Sequence, residues 1–455
     1  MMKKLTGLLA MCCALWIFIA CDNDSPVAKI PETPEPPYIS SNFGVDASTQ
    51  LLVCWQNDTD IEEQQLQITL KSDADFSNAD TITTTGIGAY AVTGKEFHSP
   101  KEGFPNTGNY PSRNIFRVQV NGLEPGTEYM YRVGDSTLWS QTRYHTTADN
   151  SPTFSFGMFS DPQDGTGLAT GLAAALLKSQ AYDPNIKFYL MMGDITESIA
   201  SEKLIKGYFN AAKPYMKQMP ISTVQGNHDT RYTDGAIDRF GESYIYNNFF
   251  YNTDNGPTER KNATYYYYYN NLLIVMMDTV ITAEEQVTQA AWLREVLQAD
   301  KDAGKSDYII VGMHKGLFGN QYYNNADINL IKAKYGKILS DFDVDLVVFG
   351  HDHTYGRTNP LKIDEAGTVS NFEGSANGTV YTIIGTTGPK YYKTSDTQAK
   401  RDQWAVSYPN LTTQSSTEAN AGVYVNVKVT DEKMSVVVRN IGGSELDSYE
   451  IAKKH

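Results

Sequence analysis

Cysteine is scarce in this 455-residue chain: there are four, and Cys12, Cys13 and Cys21 all fall in the first 21 residues. Only Cys54 lies in the body of the sequence, which excludes a disulfide framework and leaves no thiolate to compete for a soft metal. It stands beside Trp55 in an apolar run and is expected to be a buried core thiol. Basic charge is also short, with 38 Lys and Arg against 53 Asp and Glu and a net charge of −15. Such a surface repels nucleic-acid backbones, so no nucleic-acid partner is expected. An anionic substrate then needs a local positive centre, which bound metal can provide. Long apolar runs are missing apart from Leu5–Ala20, which is short for a membrane span. No compositional bias points to disorder, collagen or coiled coil. What is present is a 41% hydrophobic chain with 30 tyrosines, enough to build two cores.

The N-terminus is the first positive signal. Lys3-Lys4, the apolar stretch and Phe18-Ile19-Ala20-Cys21 resemble a bacterial lipoprotein signal, with Phe where Leu is usual. Residues 1–21 are therefore read as a signal peptide and Cys21 as a lipidated N-terminus, which anchors a chain to a membrane without spanning it. Asp22-Asn23-Asp24 is similar to surface-export signals of some Gram-negative lipoproteins. The expected location is the outer membrane or cell surface, on the periplasmic or extracellular face. Residues 22–37 carry Pro26, Pro31, Pro34, Pro36 and Pro37 and read as a stiff tether.

Residues 38–148 show short alternating strands and frequent turns without helical periodicity, which predicts an all-β sandwich. Leu123-Glu124-Pro125-Gly126-Thr127-Glu128-Tyr129 resembles the fibronectin type III turn, whose tyrosine packs back at a sheet corner. From residue 149 to 455 apolar strands alternate with helical stretches, the pattern of an α/β domain with mixed sheets flanked by helices. Leu168–Ala181, Ile199–Lys217, Ala283–Ala303 and Asp327–Asp341 are the predicted helices. The alternation of Val423–Val429 and Met434–Val438 predicts strands that extend a sheet.

Five apolar strands of the second domain each run into polar residues able to bind metal. They lead to Asp161-Pro162-Gln163, Gly193-Asp194, Gly226-Asn227-His228-Asp229, His314, and Gly350-His351-Asp352-His353. In open α/β sheets such strand ends converge on one site. Oxygen from Asp and Asn with nitrogen from His suits two divalent ions such as Fe, Mn or Zn, and one carboxylate can bridge them. A single histidine in any of these places is more often structural; all five motifs in order are not readily assembled by chance.

In this order the motifs resemble the calcineurin-like metallophosphoesterases, most closely the purple acid phosphatases with their fibronectin-like N-terminal domain. The resemblance implies that Asp161, Asp194 and His353 hold one ion, while Asp194, Asn227, His314 and His351 hold the other. It further implies hydrolysis of a small phosphorylated substrate, a phosphomonoester, by a hydroxide bridging the ions. His228 is then the catalytic group that protonates the departing oxygen. Diester or pyrophosphate cleavage with the same site is the alternative activity.

Two positions depart from the pattern. Purple acid phosphatases place an iron-binding tyrosine where this chain has Glu197, so no phenolate colour is implied. Glu197 is instead read either as orienting His228 or as an exposed glutamate at a helix start. Gln163 stands where relatives carry His or Gly, and it is read either as a weak neutral ligand or as a solvent-facing group. These two departures also leave room for a surface binding protein on a decayed enzyme scaffold. Arg231, Tyr355 and Arg357 are candidate substrate contacts, with Lys315, Phe318, Tyr322 and Tyr323 as candidates for the opposite wall. The run Tyr265–Tyr269 reads either as a stacking platform or as a strand with half its rings packed inward.

Overall fold

The alternating strands of the N-terminal region pair into two four-stranded sheets. One contains Ser40–Phe43, Gln50–Asn57, Ile87–Gly88 and Asn114–Asn121; the other contains Glu63–Leu70, Asp80–Thr85, Glu128–Gly134 and Arg143–Thr146. Their inward faces bury Leu51, Val53, Trp55, Leu66, Ile68, Phe116 and Tyr131, with Trp55 stacked on Phe116 at 5.7 Å. Tyr129 closes the expected corner, its hydroxyl accepting from the Glu124 N–H at 2.9 Å. This is a computed structural model that describes residues 34–89, 110–230, 233–234, 237–238, 243–371, 378–393, 403–415 and 417–454. The signal-peptide and lipid-anchor readings, and Arg231, lie outside those residues. Among the described residues no helix is long and apolar enough to cross a membrane.

The second domain stacks two mixed sheets. The six-stranded one runs in the order Ile221–Thr223, Ile186–Met191, Phe154–Phe159, Val423–Val429, Lys433–Asn440, Glu445–Ala452. Its first three strands are parallel, and the C-terminal hairpins add to Phe154–Phe159 antiparallel, as the sequence pattern predicts. In the seven-stranded sheet Leu272–Met277, Tyr308–Met313, Leu346–Phe349 and Val380–Ile384 are parallel, with Tyr265–Tyr269, Tyr355–Thr358 and Trp404–Tyr408 antiparallel at the edges. The central strands Phe154–Phe159, Leu272–Met277 and Tyr308–Met313 are buried on both faces, which is why they read as nearly continuous apolar runs. Phe156, Phe188 and Leu190 meet Ile274, Met276, Ile310 and Val348 between the sheets.

Helices Thr170–Tyr182 and Glu202–Met216 cover the outer face of the first sheet through Leu172, Leu176, Ile205 and Phe209. Ala283–Ala303 and Ala326–Asp341 cover the second through Leu293, Leu297, Ile331 and Leu339. The start of Ala283–Ala303 is fixed by a capping box in which Thr282 and Glu285 satisfy each other's backbone N–H groups. Tyr265, Tyr267 and Tyr269 all point into the core between the sheets, so the tyrosine run is packing and not a platform.

The sandwich braces the second domain directly. Asn42 donates to Asn252 Oδ1 at 2.6 Å and accepts from Ser222 Oγ at 2.5 Å, while Gln56 donates to the Asn248 carbonyl at 2.7 Å. Ser222 lies on the strand that leads to Asn227, so these bonds steady one side of the site. Cys54 is buried, as its apolar neighbours predict.

Candidate metal centre

Parallel strands present their carboxyl ends on one side, and there the five motifs meet. Two groups of side chains each bring their donor atoms within 4.8 Å of one another: Asp194, His314 and His351, and Asp161, Asp194 and His353. Asp194 belongs to both. Asn227 joins the first, its Oδ1 lying 3.1 Å from His314 Nε2. The backbone is forced to make this convergence. Asp161, Asp194 and His351 all sit in the left-handed region, at φ 49°, 49° and 65°. That conformation costs a non-glycine residue on the order of 1–3 kcal/mol, and such strain gathers at functional sites. The glycines beside them serve a different end. A Cβ on Gly226 would lie 2.2 Å from Asp194 Oδ1, and one on Gly350 2.3 Å from Asp161 Oδ2.

The imidazoles are locked with one nitrogen facing inward. His314 Nδ1 donates to the Met192 carbonyl at 2.7 Å, and His353 Nδ1 to the Lys390 carbonyl at 2.5 Å. A carbonyl only accepts, so each Nδ1 carries the proton and each Nε2 turns to a carboxylate. The distances are 3.3 Å from His314 Nε2 to Asp194 and 3.2 Å from His353 Nε2 to Asp161. This is the arrangement by which outer partners orient metal-binding histidines.

The charge balance asks for cations. Burial pulls His314 down, yet Asp194 and Asp161 outweigh it and raise the imidazole to about 9. Burial raises Asp194, but His314 and His228 hold it well below the usual carboxylate range. Burial, with His314 and Lys315 beside it, keeps His351 well below the ordinary histidine value and so neutral. Buried carboxylates that draw a proton onto a neighbouring imidazole fit a divalent ion, which takes that proton's place on binding. The donor set of oxygen and imidazole nitrogen fits the same conclusion.

Comparison with known proteins agrees with this geometry. Residues 154–355 match the calcineurin-like phosphoesterase family, and residues 36–147 match the purple acid phosphatase N-terminal domain. The chain thus carries a calcineurin-like phosphoesterase domain preceded by a purple acid phosphatase N-terminal domain. Acid phosphatase type 7 of Mus musculus is 25% identical over 308 residues, covering 60% of this chain and 64% of its own length. Purple acid phosphatase 15 of Arabidopsis thaliana is 23% identical, covering 80% of this chain and 77% of its own. The chain thus spans under two thirds of the first relative and about three quarters of the second. The purple acid phosphatase PPD1 from yellow lupin shares the fold at a TM-score of 0.71 and 16% identity, over 92% of this chain and 75% of that one. The matched families and relatives support a phosphoric ester hydrolase.

Within the metallophosphoesterase domain, His228 is held by main chain. Its N–H donates to Asp194 Oδ1 at 2.9 Å, and its Nδ1 donates to the Glu197 carbonyl at 2.8 Å. The Glu197 carboxylate lies 3.8 Å away, so the orienting contact expected of that side chain comes from its backbone. The carboxylate faces Gln163 instead, whose Nε2 donates to Glu197 Oε2 at 3.3 Å. Gln163 is buried, which rules out the solvent-facing reading, and its Oε1 has no hydrogen-bond partner among the described residues. Glu197 Oε1 is likewise buried and has no hydrogen-bond partner among the described residues.

Tyr355 and Arg357 are corrected. The Tyr355 hydroxyl donates to Asp447 Oδ2 at 2.8 Å and Arg357 Nε donates to the same oxygen at 2.6 Å. Their polar atoms brace the C-terminal hairpin and do not offer themselves to substrate. Neighbourhood to His353 in sequence suggested otherwise, but strand alternation turns them into the sheet.

The sequence gives little sign of three further contributors. Tyr392 stacks on His353 at 4.6 Å and Tyr322 on His351 at 4.5 Å, and their hydroxyls share a hydrogen bond of 3.1 Å. Lys390 brings its ammonium 3.4 Å from His228 Nε2. Asp352, between the two histidines of its motif, accepts from the backbone of Asn320 at 2.6 Å and Gln321 at 2.7 Å, which sets Tyr322 in place. The cue for Asp352 was its position; Lys390 and Tyr392 come from an irregular loop with no pattern to read.

Proposed function

We propose that this chain is a two-metal phosphoesterase that hydrolyses phosphomonoesters. What supports the reading most is the pair of overlapping donor groups that share Asp194. In this reading Asp161, Asp194 and His353 hold one ion, and Asp194, Asn227, His314 and His351 hold the other. Divalent ions bound there supply an activated water and neutralise charge on the phosphoryl oxygens.

The chain's own residues do the rest. The Met192 and Lys390 carbonyls fix the tautomers of His314 and His353, so that Nε2 is the coordinating atom of each. Asp229 accepts from the N–H groups of Gly226 at 2.8 Å and Ile195 at 3.1 Å, tying the Asn227 loop to the Asp194 loop. His228, anchored at both its main-chain N–H and its Nδ1, presents Nε2 toward the substrate and meets the departing oxygen. The choice of monoesters rests on the relatives, two of which are described as acid phosphatase type 7 and purple acid phosphatase 15.

The test is to load purified protein with Mn²⁺, Fe²⁺ or Zn²⁺ and assay p-nitrophenyl phosphate beside bis-p-nitrophenyl phosphate. Faster turnover of the monoester is expected. A preference for the diester would move the assignment to phosphodiesterases. No turnover of either with no metal bound would overturn the enzyme reading.

The N-terminal motif supports a second, separate proposal: export, and anchoring of the protein by a lipid on Cys21. Radiolabelled fatty acid should be incorporated into the wild type and not into Cys21→Ala. Equal labelling of both would contradict it.

A further inference from the structure

The loop Gly385–Tyr392 is tied to the metal centre by a side-chain hydroxyl and by its main chain. Thr386 Oγ1 donates to the Asp161 carbonyl at 2.7 Å, and the Gly388 N–H donates to the same carbonyl at 3.0 Å. Lys390 continues the loop, and its carbonyl accepts the hydrogen bond from His353 Nδ1. Its backbone is therefore as fixed as the site itself. Its side chain then reaches across to the far wall, where Nζ lies 3.4 Å from His228 Nε2 and 3.9 Å from Glu197 Oε2.

Neither partner satisfies it. An ammonium has three donors and no acceptor. A hydrogen bond of 3.4 Å is long, and 3.9 Å is beyond hydrogen-bonding distance. The Lys390 side chain is only 20% exposed, so water does not fully repay the difference. A contrast stands nearby: Lys315 closes on Asp327 at 2.6 Å and is spoken for. In a chain of net charge −15, a largely sheltered cation with no anion closer than Glu197 at 3.9 Å among the described residues, beside the histidine that meets the leaving group, is a place prepared for an anion from outside.

We propose that Lys390 is a substrate-binding residue that grips a non-bridging phosphate oxygen and sets the preference for dianionic monoesters. The inference rests on the phosphoesterase reading above. A monoester near neutral pH carries close to two charges, since its second pKa is about 6, whereas a diester carries one. Lys390 adds its interaction to the charge that distinguishes the two. Lysine acts here as a point charge, so arginine keeps the cation but not its compact shape.

The experiment compares metal-loaded wild type, Lys390→Met and Lys390→Arg. Metal content should match in all three, because the His353 contact uses the main-chain carbonyl. In Lys390→Met, kcat/KM for p-nitrophenyl phosphate should fall by roughly 10- to 100-fold, the range for one charge-assisted hydrogen bond. The inhibition constant of inorganic phosphate should rise by about the same factor, and bis-p-nitrophenyl phosphate should lose only about threefold. Lys390→Arg should recover most of the phosphate binding. Equal losses on both esters with unchanged phosphate inhibition would overturn the proposal and make Lys390 a positioning residue. Calorimetric binding of inorganic phosphate is measured whether or not the wild type turns over. If no ester is cleaved, the phosphoesterase reading fails, while weaker phosphate binding by Lys390→Met than by wild type still supports the role of Lys390, and equal binding overturns it.

Discussion

His228 Nδ1 lies 2.8 Å from the main-chain carbonyl of Glu197 and 3.8 Å from the nearest oxygen of its carboxylate. The two distances separate what the Glu197 side chain does from what its backbone does. A carbonyl cannot be removed by substitution, so the histidine keeps its tautomer whatever side chain stands at position 197.

Replacing Glu197 should therefore cost little. Glu197→Gln is expected to change kcat by about threefold or less, while His228→Ala should lower it by about 10²- to 10⁴-fold, the range for a general acid. Steady-state kinetics of both variants decides the matter. Comparable losses would show that the carboxylate positions the ring after all.

The Tyr322–Tyr392 pair predicts a metal-affinity effect without a ligand being touched. Tyr392→Ala removes the ring stacked on His353 and the hydroxyl bonded to Tyr322. Metal affinity should weaken by roughly 10-fold, the low end for an outer partner of a ligand. Tyr392→Phe keeps the stacking and should lose less. A metal titration in which Tyr392→Ala binds like wild type would remove the pair from the account.

Asp447 tests the correction at Tyr355 and Arg357. Asp447→Ala strands a buried hydroxyl and a largely buried guanidinium. Urea unfolding should show a loss of about 2 kcal/mol, the scale for leaving such groups unpaired. KM should stay near the wild-type value. A large rise in KM with little loss of stability would restore these residues to the substrate site.

His145 in the sandwich makes a pH prediction. Burial lowers its imidazole from 6.5 to about 3, and neither ring nitrogen has a hydrogen-bond partner among the described residues. The unfolded chain binds this proton between pH 6.5 and 3 and the folded chain does not. Its contribution to stability is thus complete above pH 6.5 and is lost as pH falls toward 3, by at most about 1.4 kcal/mol per pH unit. His145→Leu should flatten the decline across that window when unfolding is followed against pH. An unchanged slope would mean that the ring is already protonated in the fold.

The sequence could be read where chemistry and periodicity coincide. Each candidate ligand follows a short, mostly buried strand that ends in a polar motif, so the convergence of Asp161, Asp194, Asn227, His314, His351 and His353 could be expected one motif at a time. The helices were legible by period, and the sandwich by its turns. Contacts that join distant segments were not. Tyr355 pairs with Asp447 across 92 positions, and no local pattern announces that partner. Lys390 and Tyr392 lie on an irregular loop whose course is set by Asp161 and His353, so their place exists only after folding. Glu197 was identified as the neighbour of His228, but a sequence cannot tell a side-chain contact from a main-chain one.

The central claim is that one carboxylate joins two metal sites into a phosphoesterase centre. The most direct measurement is metal content by plasma mass spectrometry together with p-nitrophenyl phosphate turnover, on wild type and Asp194→Asn after loading with Mn²⁺ or Zn²⁺. The account predicts two ions per chain and measurable turnover for the wild type, with both metal retention and activity collapsing in Asp194→Asn because Asp194 belongs to both donor groups. A variant that keeps two ions and wild-type turnover, or a wild type that binds none, would contradict it.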